Sequence, residues 1–95
     1  MKEKIIKSGS ANWFHGIGSK GGKLVLTNKT LYFEGHFFNV GKKQFEVSVK
    51  DINNVEVGMP NTLIIYLKDG SSEKFAISGK DAWLEAVQDA MNSDF

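Results

Sequence analysis

Apolar residues return at every second position over several short runs, and Gly, Asn and Asp separate the runs. That rhythm predicts β-strands with one buried and one wet face. It is cleanest in Gln44-Phe45-Glu46-Val47-Ser48-Val49-Lys50, apolar at 45, 47 and 49 and polar between. Residues 23–27 place Leu24 and Leu26 on one face. Asn28-Lys29 then turns the chain into residues 30–34, where Leu31 and Phe33 share a face. Asp51-Ile52-Asn53-Asn54 interrupts the beat before Val55-Glu56-Val57. Residues 62–67 are β-branched and aromatic enough for a more central strand. Asp69-Gly70 supplies a tight hairpin, because Gly tolerates the positive φ such a turn needs, and residues 72–77 return with Phe75 and Ile77 inward. Residues 5–15 alternate less regularly. They read as a first strand, because the sheet would otherwise keep an unpaired edge. The single proline lies in Gly58-Met59-Pro60-Asn61, which reads as a loop.

The period then changes. Trp83, Ala86, Val87, Ala90 and Met91 fall at helical spacing, while Glu85, Gln88 and Asp89 face away. This predicts one amphipathic helix of about three to four turns. Ser78, with Asp81 three residues on, reads as its capping box. A helix with one apolar stripe must lie on something apolar, and the sheet is the only candidate, with Trp83 as the largest anchor. Seven strands followed by one helix make the chain mainly β.

Composition narrows the function. The 95 residues and 41% hydrophobic content suit one domain over 1–95 with its own core. The absence of cysteine removes disulfides, thiolate metal sites and thiol nucleophiles, and fits a cytoplasmic location. The amino terminus lacks the apolar run of a signal peptide, and no stretch approaches the roughly 20 apolar residues of a membrane span. The net charge of +1 hides an asymmetry: residues 1–50 hold nine lysines against three acids, and residues 51–95 three lysines against eight acids. A basic half suggests an anionic partner, or simply a polarised solvated surface. Arginine, which grips phosphate bidentately, is absent.

No constellation nominates catalysis. Gly16-Ile17-Gly18-Ser19-Lys20-Gly21 matches G-x-G-x-x-G, but it opens into a strand and not the helix a dinucleotide site requires, so it reads as a glycine hairpin loop. His15 and His36 lack a second ligand at metal spacing. Asp51, Asp69 and Asp81 occupy a strand end, a turn and a helix start, where Asp is structurally preferred. The chain reads as a non-enzyme without cofactor or metal.

An ordered set of segments resembles the GRAM domain family. Gly21-Gly22-Lys23-Leu24-Val25-Leu26-Thr27-Asn28-Lys29-Thr30-Leu31-Tyr32-Phe33 looks like that family's "gGkLyLTnkrLiF" hairpin. Ser8-Gly9-Ser10-Ala11-Asn12-Trp13-Phe14-His15-Gly16-Ile17 is similar to the lead-in of small bacterial members, and Val49-Lys50-Asp51-Ile52-Asn53-Asn54-Val55 resembles the "pl.DI..V" element. The likeness runs from about residue 8 to 91. It implies a pleckstrin-homology-like sandwich or barrel: seven antiparallel strands in two near-orthogonal sheets, capped by one C-terminal helix. It also implies an intracellular module for membranes, lipids or proteins.

Two partner classes compete. In an antiparallel meander the loops at 16–22 and 35–43 emerge at one end, gathering Lys20, Lys23, Lys42 and Lys43 beside Phe37 and Phe38. Those six residues form a candidate site for an anionic membrane surface, the aromatics entering the interface and the lysines meeting headgroups. The plainer reading folds Phe37 or Phe38 back into the core. Phosphoinositide-binding relatives of the fold carry K/R-x-R where this chain has Lys23-Leu24-Val25. The other class, a protein partner bound at a sheet edge or beside the helix, is the preferred one. The chain then acts as a monomer or a weak edge-strand dimer. Nucleic acid is disfavoured by the missing arginines and the absence of a basic aromatic stripe.

Overall fold

The computed structural model describes residues 3–15, 18–35 and 43–93. Among these, seven strands precede one helix: β1 (Ile5–His15), β2 (Gly18–Thr27), β3 (Thr30–Gly35), β4 (Lys43–Ser48), β5 (Ile52–Gly58), β6 (Thr62–Leu67), β7 (Ser72–Ile77) and α1 (Lys80–Asn92). A 3-10 turn, Val49–Asp51, joins β4 to β5.

All pairings are antiparallel, in the order β4-β3-β2-β1-β7-β6-β5. The two expected sheets are continuous through β1. This strand pairs with β2 along residues 5–15, but with β7 only along residues 11–14. The halves therefore diverge beside residues 5–10, and α1 lies across the opening, chiefly against β5 and β6.

Strand alternation delivers the core. Ala11 and Trp13, Leu24 and Leu26, Leu31 and Phe33, Leu63 and Ile65, and Phe75 and Ile77 all bury their side chains in one cluster. Trp13, Phe33, Phe45 and Phe75 form a ring of tilted aromatic contacts with centroids 5.7–5.9 Å apart, within the range where such pairs attract. From α1, Trp83, Val87 and Ala90 enter the same cluster, with Ala86 and Met91 half-buried beside them. Trp83 is 2% exposed and is the helix anchor. The Lys7 ammonium sits 5.5 Å from its ring centroid.

Two backbone devices shape β2. Gly22 passes so close to β3 that a Cβ would overlap the Glu34 carbonyl oxygen and lie 2.7 Å from Phe33 Cζ. At the other end, buried Thr27 organises the Asn28-Lys29 turn: its Oγ1 accepts from the Lys29 and Thr30 amides at 3.1 and 2.8 Å. Glu3 ties this corner to the first strand, its Oε2 accepting from the Thr27 and Thr30 hydroxyls at 3.0 and 3.1 Å.

Three local expectations are corrected. Residues 18–22 are strand and not part of a glycine loop: β2 begins at Gly18, and Gly18 to Gly22 pair with His15 to Ala11. Position 49 is not in a strand; β4 ends at Ser48, and buried Val49 belongs to the 3-10 turn capped by the Ser48 hydroxyl. Ser78 does not cap α1. The N-cap is Gly79, in the left-handed conformation at φ 72° and without a side-chain capping bond. Gly adopts that conformation without steric cost, so the turn geometry displaced the capping box. The hairpin expected at Asp69-Gly70 forms, with Gly70 at φ 93°. Its loop, however, has three residues, Lys68-Asp69-Gly70, closed by the Leu67 amide donating to the Ser71 carbonyl and the Gly70 amide to the Leu67 carbonyl.

Candidate binding surfaces

Antiparallel pairing puts the β1–β2 connection and the β3–β4 connection at one end of the sheet. Gly35, the last residue of β3, stands opposite Gly22, so residues 18–21 carry the β1–β2 hairpin beyond β3. Lys20 and Lys23 are both exposed on β2. Their separation of three residues points them to opposite faces. Lys20 pairs with Trp13, on the core side, while Lys23 stands between Ser10 and Glu34 on the outer side. Glu34 also pairs with Lys43 across the β3–β4 ladder. Opposite charges on facing positions attract, so Lys23 faces an acid rather than contributing bare positive charge. Phe37, Phe38 and Lys42 lie outside the described residues, as does the side chain of Lys43.

Sequence reasoning missed the exposed apolar side chains of the first strand. Phe14 is 45% exposed on the outer face, paired with Lys74 of β7 and Ser19 of β2. Ile5 and Ile6 are 60% and 45% exposed. Parity could have found Phe14: with Ala11 and Trp13 inward, Phe14 must point out. Ile5 and Ile6 could not be found so, because the β1–β2 register shifts between Ile5 and Lys7.

The polar groups show structural employment. The Asp69 carboxylate accepts from the Ser71 hydroxyl and amide, and these bonds hold its pKa below the ordinary carboxylate value. Tyr66 donates to Glu56 at 3.1 Å, which raises the phenol pKa. Trp13 Nε1 donates to Glu73 at 2.9 Å. Among the described residues no three His, Cys, Asp or Glu side chains converge as a metal site. Among the same residues no helix is long and apolar enough to cross a membrane. The hollows along the surface are open. One of about 450 Å³ lies where α1 ends, lined by Lys29, Val49, Lys50, Ala90 and Met91 among others. Another of about 280 Å³ lies between β1 and α1.

The profile of the GRAM domain family matches residues 1–88. No curated protein matches the sequence. Among solved structures, the carboxyl-terminal PH domain of pleckstrin superposes with a TM-score of 0.80 at 16% identity, over 94% of this chain and 99% of that one. The Slm1 PH domain in complex with inositol-4-phosphate gives 0.73 at 13% identity, over 93% and 96%. A chain from the complex of human RhoA with the DH/PH fragment of PDZRHOGEF gives 0.75 at 16% identity, covering 94% of this chain but only 29% of that one. Likeness at these identities establishes the fold, a pleckstrin-homology fold.

Proposed function

The chain belongs to the GRAM domain family, and from that premise we propose that it is a non-catalytic cytoplasmic module whose partner is another protein. The observation that carries the protein reading is the open sheet. β4 and β5 stand at its two ends, each paired with a strand on one side only among the described residues. Unpaired strand edges are templates for an added strand. The PH-fold relative from the RhoA complex supports a protein partner by analogy. The cysteine-free composition agrees with a reducing compartment. Small, single-domain, bacterial-type membership over 1–95 is part of this proposal and rests on the lead-in segment at 8–17. Exclusion of nucleic acid rests on the missing arginines.

A second reading is weak binding to anionic lipid surfaces through Lys20, Lys23, Phe37, Phe38, Lys42 and Lys43. It is favoured by the relative solved with inositol-4-phosphate. Each lysine near an anionic bilayer is worth about 1 kcal/mol, but Lys20 and Lys23 point to opposite faces, and Lys23 faces Glu34. The two readings separate in paired assays: flotation with anionic and neutral vesicles at low salt, and affinity capture followed by titration with the purified captured protein. Saturable binding to that protein without flotation is expected. Salt-sensitive flotation with no saturable protein partner overturns the proposal.

A further inference from the structure

Strand β1 is only half enclosed. β2 covers one side of it along residues 5–15, whereas β7 covers the other along residues 11–14 alone. Among the described residues no strand pairs with the remaining edge at 5–10. Beside that edge runs α1, and the hollow of about 280 Å³ between them is lined by Ile6, Lys7, Ala82, Glu85, Ala86 and Asp89. The two exposed isoleucines of the strand, Ile5 and Ile6, fall in this half. An unpaired edge with an apolar margin is a surface that a further strand would cover.

The helix side of the groove selects the charge of what lies there. Asp81, Glu85 and Asp89 follow one another at i, i+4, i+8, all exposed, and their side chains make no bond or ion pair within the described residues. Like charges at this spacing repel, and acids near a helix C-terminus oppose the macrodipole. The last turn of α1 holds no basic residue to offset them. Among the described residues that line the groove the one cation is Lys7, and it is placed over the Trp83 ring.

Resting on the protein-partner reading above, we infer that the free edge of β1 and the flank of α1 bind an extended peptide segment of another protein. That segment alternates basic with apolar residues. Its backbone extends the sheet at residues 5–10, its apolar side chains cover Ile6 and Ala86, and its Lys or Arg side chains meet Glu85 and Asp89.

The test titrates the isotope-labelled chain with a terminally blocked ten-residue peptide alternating Val and Lys. A Val–Glu peptide and a Val–Lys peptide N-methylated at alternate residues are the controls. The expected result is amide shifts confined to residues 5–10 and 82–89 with Val–Lys alone, weakening as salt rises. Glu85→Lys with Asp89→Lys, both on the exposed helix face, should weaken Val–Lys binding about tenfold, equivalent to about 1.4 kcal/mol, and reverse the preference towards Val–Glu. Shifts at the β4 edge would overturn the groove while leaving a protein partner standing. Equal binding of the N-methylated peptide would overturn strand addition. Binding of neither peptide, or concentration-dependent self-association that protects residues 5–10 first, would overturn the inference as well. Failure of the protein reading itself would show separately, as vesicle flotation without any saturable protein partner.

Discussion

Replacing Gly22 by Ala adds one methyl group, yet it should be among the most damaging small substitutions in the chain. The new Cβ would overlap the Glu34 carbonyl oxygen and stand 2.7 Å from Phe33 Cζ. Neither neighbour yields easily. The Glu34 carbonyl belongs to β3, which is held between β2 and β4, and the Phe33 ring is fully buried against Trp13 and Phe75. Overpacking a core by methylene-sized groups costs about 1–3 kcal/mol, and a backbone obstacle puts Gly22→Ala at or above about 3 kcal/mol. At roughly 4–8 °C per kcal/mol for a domain of this size, the melting temperature should fall by about 12 °C or more. Gly18→Ala is the control, because nothing lies within 4 Å of a Cβ there. Its effect should be neutral or slightly stabilising, since Gly inside a strand costs roughly 0.5–1 kcal/mol relative to Ala. Guanidinium unfolding of the two variants beside the parent measures the difference. A Gly22→Ala chain within about 0.5 kcal/mol of the parent, the range of ordinary surface changes, would refute the close approach of β2 and β3.

Trp83→Ala should lose about 3–5 kcal/mol, the range for a buried aromatic; a loss of only a few tenths in equilibrium unfolding would mean that α1 is not docked through this ring. Thr27→Val keeps the shape but strips the acceptor from the Lys29 and Thr30 amides, so it should cost about 1–3 kcal/mol, while Thr27→Ser stays near the parent in the same measurement. Because the Asp69 pKa is lowered in the folded chain, its ionised form stabilises the fold above the unfolded-state value, and that contribution drains away as pH falls through the lower folded value. A carbon-detected titration should place this carboxyl below 3.8, and Ser71→Ala should move it upward; titration at or above 3.8 in the parent would contradict the turn geometry.

The elements that the sequence predicts well are those whose signal is local. Alternation at Phe45 and Val47, the β-branched run from Thr62 to Leu67, the Asp69-Gly70 turn and the Trp83–Val87–Ala90 stripe each depend on neighbours within one or two turns of chain. The ordered segments at 8–17, 21–33 and 49–55 resemble the GRAM family and imply its fold, which the family profile over residues 1–88 and the PH-fold superpositions bear out.

What stayed illegible is set by partners distant in sequence. Gly18, Ser19 and Lys20 carry no apolar alternation, and they are strand because His15, Phe14 and Trp13 pair with them. Ser78 and Asp81 match a capping box, yet a left-handed Gly79 starts the helix instead. Lysines close in sequence, Lys20 and Lys23, diverge because parity in β2 sends them to opposite sides of one sheet. The open half of β1 is the clearest case. Nothing local marks one edge of residues 5–10 as unpaired among the described residues. That follows from where β7 stops pairing, 60 or more positions along the chain at Ile77, and from the helix that leaves there. Periodicity encodes which residues share a face; only the assembled sheet decides which edges and faces are left for a partner.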